Sequence, residues 1–224
     1  MIMMRADSTI NKSSCDNLPL KQKLRSYLVT KSSGLFWFLV DNISCKLDGL
    51  SELYEKMVSK DYNKEYSFVN LPENHNILHI GCGAYPLTDI MLAKISDSLK
   101  IVGIDNDPKA VELAKRVIEK KALQKQIKIE HADGRNYPVR KFDTIIVSSC
   151  SHPKTEVLEH VFKKAKKQSK IIVRELDNVI KPVIQCIKSH KEIVIIRRIH
   201  HNSFPFIKPV CWQTFYLQKK GKKK

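Results

Sequence analysis

Four short stretches carry residue types whose spacing could do chemistry: Gly81-Cys82-Gly83-Ala84-Tyr85-Pro86-Leu87-Thr88, Gly103-Ile-Asp105-Asn106-Asp107-Pro108, Glu130-His-Ala132-Asp133-Gly and Ser148-Ser149-Cys150-Ser-His152-Pro153. In the first, glycines let the backbone come close to a ligand, and a following helix start offers N–H groups. Asp105 lies about 20 residues further on at a strand tip, where a carboxylate accepts ribose hydroxyls in nucleotide sites. Asp107, just before Pro108, reads instead as a helix N-cap. His152 is the candidate general base, since imidazole exchanges protons near neutral pH. Tyr85 is placed to line a substrate pocket or to pack on the helix. Cys150 is a weaker candidate as a thiolate nucleophile.

These stretches need strands to carry them and helices to follow. From Asn76 the chain alternates short apolar runs with helical patterns, the mark of a parallel sheet with crossover helices. Strands are expected at 77–80, 100–104, 127–130, 144–148, 170–174, 192–198 and 212–218. Helices are expected at 87–96, 108–121, 154–167 and 179–189. The last two strands have no helix between them, so the final one returns antiparallel. Upstream, apolar residues at helical spacing from Leu20 to Val58 predict one or two amphipathic helices. The resulting division is a polar tail (1–17), a helical cap (18–70), an α/β domain (71–218) and a basic tail (219–224).

This arrangement resembles the class I S-adenosylmethionine-dependent methyltransferases, an α/β, Rossmann-like fold of seven strands with the last antiparallel, here with an N-terminal helical extension. The resemblance implies S-adenosylmethionine as cofactor. It implies contacts from Gly81, Cys82, Gly83, Ala84, Thr88, Asp105, Asn106, Ala132, Asp133, Ser148 and Ser149. In that fold an acidic residue at Asp133 meets the adenine amino group, and a neighbouring N–H meets a ring nitrogen. A dinucleotide reading is weaker, because the loop lacks the third glycine of G-x-G-x-x-G. The usual leading Asp is His79 here, and Tyr85-Pro86 stands where a third glycine is common. That altered loop, with Pro86-Leu87-Thr88, is similar to the loop of nicotianamine synthases and staphylopine-type opine synthases. Those enzymes move the aminocarboxypropyl group rather than the methyl. No position matches their substrate-side glutamate; Glu65, Glu73 and Tyr66 are the residues that could stand for it.

The expected function is therefore an S-adenosylmethionine-dependent transferase, with methyl transfer to a small molecule as the default of the fold. The alternatives are aminocarboxypropyl transfer to an amine, and an RNA methyltransferase or basic RNA-binding module with a vestigial cofactor site. The Asp/Asn-Pro-Pro-Tyr of amino-directed DNA enzymes and the Pro-Cys of RNA cytosine-C5 enzymes are absent from the Ser148–Pro153 stretch.

The formal charge of +17 points to an anionic partner, a carboxylate-rich small molecule or RNA. It is uneven: residues 1–76 hold 10 basic and 9 acidic side chains, whereas 77–224 hold 30 and 14. Lysine supplies 32 of the 40 cations, which favours a solvated surface over bidentate recognition by arginine. Lys163, Lys164, Lys166 and Lys167 are expected on the outer part of one helix. The six cysteines lack zinc-ribbon or C-x-x-C spacing and read as buried thiols of a cytoplasmic protein. His200-His201 has no third ligand nearby in sequence, so no metal is expected. The apolar run 35–40 is far shorter than the roughly 20 residues of a membrane span, so no membrane partner is expected.

Overall fold

A computed structural model describes residues 52–53, 55–56, 65–66, 68–69, 71–201 and 211–221. The tail 1–17, most of the cap 18–70, the segment 202–210 and residues 222–224 lie outside it, as do the cap's predicted helix boundaries. Within the cap, residues 52–53, 55–56 and 65–66 are helical.

The order of elements is β1 (Asn76–Ile80), α1 (Leu87–Ala93), β2 (Lys100–Asp105), α2 (Pro108–Lys120), β3 (Ile127–His131), β4 (Thr144–Val147), α3 (Lys154–Lys164), β5 (Lys170–Leu176), a 3-10 turn (Asp177–Val179), α4 (Ile180–Ser189), β6 (Ile193–His201) and β7 (Trp212–Lys219). The seven strands form one sheet in the order β3-β2-β1-β4-β5-β7-β6. The first five run parallel, and β7 is antiparallel to both β5 and β6. The expected α/β sheet with an antiparallel last strand is therefore present. The element ends differ by a few residues. α3 stops at Lys164, so Lys166 and Lys167 lie in the connection to β5 rather than on the helix.

Side-chain alternation along the strands explains the layers. Leu78, Ile80, Ile145 and Val147 face α3 and α4, where Val157, Leu158, Phe162, Val183 and Ile187 complete one core. Ile77, Ile101, Ile146 and Ile172 face α1 and α2, with Ile90, Leu92, Val111 and Ile118. Central strands buried on both faces need this near-continuous run of branched apolar residues. α2 starts as expected: the Asp107 carboxylate accepts the Lys109 N–H at 2.9 Å, and Pro108 opens the first turn. The expectation of buried thiols holds for Cys82 and Cys186, while Cys150 is exposed and Cys211 intermediate.

The strand order reverses between β1 and β4. The loop after β1 turns to α1 on one face, and the loop after β4 turns to α3 on the other. Diverging loops open a crevice at the carboxyl ends of the parallel strands, where open α/β sheets bind ligands.

Candidate active site

The crevice is a narrow cleft of about 40 Å3 lined by Ile80, Gly81, Ile104, Asp105, Asn106, Ala132, Asp133, Gly134, Cys150, Ser151, His152 and Val157. Thus six of the sequence-predicted residues, Gly81, Asp105, Asn106, Ala132, Asp133 and His152, converge there from four loops. Gly81 and Gly83 have φ of 79° and 70°, backbone that suits glycine. A Cβ on Gly81 would lie 2.4 Å from Ser151 Oγ, so this turn has no room for a side chain. Cys82 is buried beside the turn, and its N–H joins that of Gly81 on the Ile104 carbonyl.

Asp105 organises the rim of the cleft. Its Oδ2 accepts the Gly83 N–H at 2.9 Å and its Oδ1 the Asp107 N–H at 3.0 Å. A carboxylate offers about four acceptor positions, so two remain for hydroxyl groups after these bonds. Asp133 is held by Arg135, whose guanidinium lies 2.6 Å from Oδ2, and its carboxyl titrates below the usual range because of these hydrogen bonds. The Ala132 N–H is spent on the Asp105 carbonyl at 3.0 Å. It therefore joins β2 to the β3 loop rather than pointing a donor into the cleft.

Behind the glycine turn lies an arrangement that sequence spacing did not reveal. His79 Nδ1 is 2.9 Å from Asp89 Oδ1, and His79 Nε2 is 2.7 Å from Ser148 Oγ. His79 and Asp89 are 2% and 0% exposed. An ionised carboxylate only accepts, so Nδ1 carries a hydrogen and Nε2 is turned to Ser148. Asp89 Oδ2 has no hydrogen-bond partner among the described residues, and it lies against Gly103, where a Cβ would be 2.6 Å away. The signal for this was the missing leading acid: with histidine on the strand, the carboxylate comes from the first turn of α1.

The β4 loop is held from below. Lys154, at the start of α3, is buried and donates to the Ser148 and Arg174 carbonyls, with Glu175 Oε2 at 4.0 Å. Burial lowers Lys154 and raises Glu175, each towards its neutral form, and their mutual attraction opposes this. His152 rises exposed from the same loop, yet the desolvation of its ring and the Lys154 charge bring its pKa to about 4. It is thus a neutral acceptor at pH 7 and a weaker base than free histidine. Ser149 Oγ is 3.9 Å from Cys150 Sγ.

Two predicted residues reach away from the cleft towards the N-terminal segment. Tyr85 is buried and its hydroxyl donates to Glu55 at 2.6 Å. Thr88 Oγ accepts from Arg174 at 2.8 Å, and Arg174 makes a two-toothed pair with Glu65 and also donates to Tyr66. Thr214 donates to the same Glu65 carboxylate. Ala84 is buried next to Tyr85. Of the residues considered for a substrate-side glutamate, Glu65 and Tyr66 belong to this buried network, and Glu73 is exposed.

A family model described as a methyltransferase domain matches residues 71–220. The chain belongs to that methyltransferase domain family. Among curated relatives, this methyltransferase domain protein is 25% identical over 149 residues to an L-histidine 2-aminobutanoyltransferase of Yersinia pestis, covering 66% of this chain and 54% of the relative. It is 32% identical over 98 residues to the ribosomal protein L11 methyltransferase of Thermosipho africanus, covering 44% and 36%. The chain thus spans about half or less of the length of these relatives. Its fold is similar to that of MtNAS, a nicotianamine synthase, solved as a mutant in complex with S-adenosylmethionine: TM-score 0.68, 17% identity, 89% of this chain and 78% of that one. An O-methyltransferase from Thermotoga maritima shares the fold at TM-score 0.59 and 13% identity, over 74% and 67%.

The cofactor of this methyltransferase domain is S-adenosylmethionine. The lining has the chemistry for an adenosine: a turn that excludes Cβ, a carboxylate with acceptor capacity left, and apolar walls from Ile80, Ile104 and Val157. No described helix is long and apolar enough to cross a membrane.

Proposed function

We propose that this chain transfers the aminocarboxypropyl group of S-adenosylmethionine to an amine. The observation that carries this reading is the coupling of the glycine loop to the N-terminal segment. Tyr85 and Thr88, two residues of the altered loop, are committed to Glu55 and, through Arg174, to Glu65. The relevant likeness is therefore one that extends past the sheet. The nicotianamine synthase fold covers 89% of the chain, against 74% for the O-methyltransferase. The aminobutanoyltransferase aligns over 149 residues, against 98 for the ribosomal-protein methyltransferase.

When bound, S-adenosylmethionine supplies an electrophilic carbon beside a sulfonium, which leaves with the electron pair of the broken C–S bond. The protein's task is mainly to position an acceptor in line with that bond. In this reading Asp105 holds the ribose hydroxyls and Asp133 the adenine amino group. Ser148, oriented by His79 and Asp89, faces the methionine end. His152, neutral at pH 7, accepts an N–H of the acceptor amine and orients its lone pair. Its lowered pKa means that it passes the proton to solvent rather than keeping it.

Methyl transfer to a small molecule is the second reading, favoured by the family itself. The products separate the two. Incubation of the protein and S-adenosylmethionine with candidate amines and amino acids should release methylthioadenosine. Release of S-adenosylhomocysteine instead would establish methyl transfer and overturn the proposal.

A further inference from the structure

On the face of the sheet away from the glycine loop, α3 and α4 bring together three side chains that the transfer reaction does not use. Glu159 projects from α3. Cys186 lies on α4, and His190 caps its C-terminus one turn later, so the two share one face. Their ligating atoms all lie within 4.8 Å of one another. Glu159 Oε2 is 3.3 Å from His190 Nε2, and Glu159 Oε1 is 3.8 Å from Cys186 Sγ. Around a tetrahedral zinc with bonds of about 2.0–2.3 Å, neighbouring donor atoms lie about 3.3–3.7 Å apart, and the two separations from Glu159 are close to that range.

The histidine is prepared for a cation. Its Nδ1 is 2.9 Å from the Cys186 carbonyl oxygen, which can only accept. Nδ1 therefore carries a hydrogen, and in the neutral ring the lone pair sits on Nε2, aimed at a carboxylate oxygen. Two acceptors face each other at 3.3 Å unless a proton or a metal lies between them. A backbone carbonyl that fixes the far nitrogen is the usual support of a metal-bound imidazole. The Phe162 ring meets His190 edge-on at 5.1 Å and limits its rotation. Cys186 is 0% exposed, and its apolar neighbours exclude water from the sulfur side.

We propose that Glu159, Cys186 and His190 bind a divalent transition-metal ion of the zinc class that joins α3 to α4. One thiolate, one carboxylate and one neutral imidazole balance a 2+ charge. The mixed S, N and O donors disfavour magnesium and calcium, which prefer oxygen alone. On binding, the Cys186 thiol gives its proton to solvent, and Lys163, an exposed lysine 3.0 Å from Glu159 Oε2, swings away. Solvent supplies the fourth ligand from the rim at Ser189. Because α3 begins at the His152 loop, the ion would also steady one wall of the cleft.

The full chain, stripped of metal with a chelator, should be titrated with zinc against a chromophoric competitor and with cobalt followed by absorption. The expected result is one tight equivalent with a thiolate-to-cobalt band in the near ultraviolet. Cys186→Ser should remove that band, and both Cys186→Ser and His190→Gln should weaken zinc at least tenfold, with unchanged circular dichroism in the metal-free state. Asp177, His200 and Cys211 form a second three-residue group at the other end of β6, so His200→Ala is the control and should bind as the parent does. The proposal is overturned if the parent takes up no zinc, if binding survives both changes in the α3–α4 group, or if His200→Ala abolishes it. Glu159→Gln covers the case in which either first variant misfolds: it should weaken zinc while retaining the cobalt–thiolate band.

Discussion

At the scale of single residues, the two aspartates after β2 do different work. Asp105 spends both oxygens on loop N–H groups, Gly83 and Asp107, and still faces the cleft. The Asp107 carboxylate caps α2. Asp105→Asn removes the charge and turns an amide N–H2 towards one of two N–H donors, so the rim loosens as well. S-adenosylmethionine affinity should fall roughly 10- to 100-fold, about 1–3 kcal/mol for a lost charge-assisted hydrogen bond. Asp107→Ala should leave affinity unchanged while lowering stability by about 1 kcal/mol, the ordinary cost of an N-cap. Calorimetric titration together with thermal melting checks both, and equal affinities for Asp105→Asn and the parent would remove Asp105 from the site. Asp105 could be recognised in the sequence because its task is local and follows from distance to a glycine turn. The partnership of His79 with Asp89 and Ser148 could not, since Ser148 is brought by strand pairing between β1 and β4, a contact across 69 residues.

At the scale of elements, Glu55 is one of the points where the N-terminal segment grips the sheet domain. Lys94 and Lys121 cap the C-termini of α1 and α2, and both reach its carboxylate at 2.7 Å, alongside the Tyr85 hydroxyl. Burial alone would raise the Glu55 pKa, but the hydrogen bonds from Lys121, Lys94 and Tyr85 outweigh it and bring the group to about 2, from an ordinary 4.5. A depressed carboxylate stabilises the fold above its unfolded value and loses that contribution as pH falls through the folded one. Glu55→Gln should therefore be less stable than the parent at pH 7, by at most about 3 kcal/mol from the size of the shift, and the gap should close between pH 4.5 and 2. Denaturant unfolding at several pH values measures it; a gap constant from pH 7 to 3 would show that the carboxylate is not the grip. The sheet elements were legible because central strands must be apolar on both faces and helices must turn one apolar side to them. The joint at Glu55 was not, because a helical glutamate with lysines elsewhere in the chain reads as an ordinary solvated charge until the fold collects them.

At the scale of the whole molecule, two groups of the described cations lie at the end of the sheet opposite the cleft. One groove, at the amino ends of β1, β2 and β3, is lined by Lys100, Lys125, Lys128 and Lys141. Its neighbour across the 138–142 stretch is lined by Arg140, Lys163, Lys164, Lys166, Lys167 and Lys219. Sequence order scattered these residues over about half the chain; the sheet gathers them because the parallel strands all begin at one edge and antiparallel β7 ends there. Such a position separates two expectations that the total charge had merged. Cations in these two grooves do not line the cleft. A polyanion such as RNA, if it binds, docks here by phosphate contacts that release counterions, and its affinity should fall steeply as salt rises from 50 to 200 mM, on the order of tenfold or more for even a few contacts. Charge reversal at Lys164 and Lys167 should flatten that salt slope while leaving S-adenosylmethionine affinity unchanged, since both lysines are exposed and remote from the crevice. Fluorescence anisotropy with a single-stranded RNA homopolymer, run across salt on both proteins, reads the slope directly. A slope near zero in the parent would leave the lysines as a solvated surface, and a loss of cofactor affinity in the variant would mean that the two edges of the sheet are coupled.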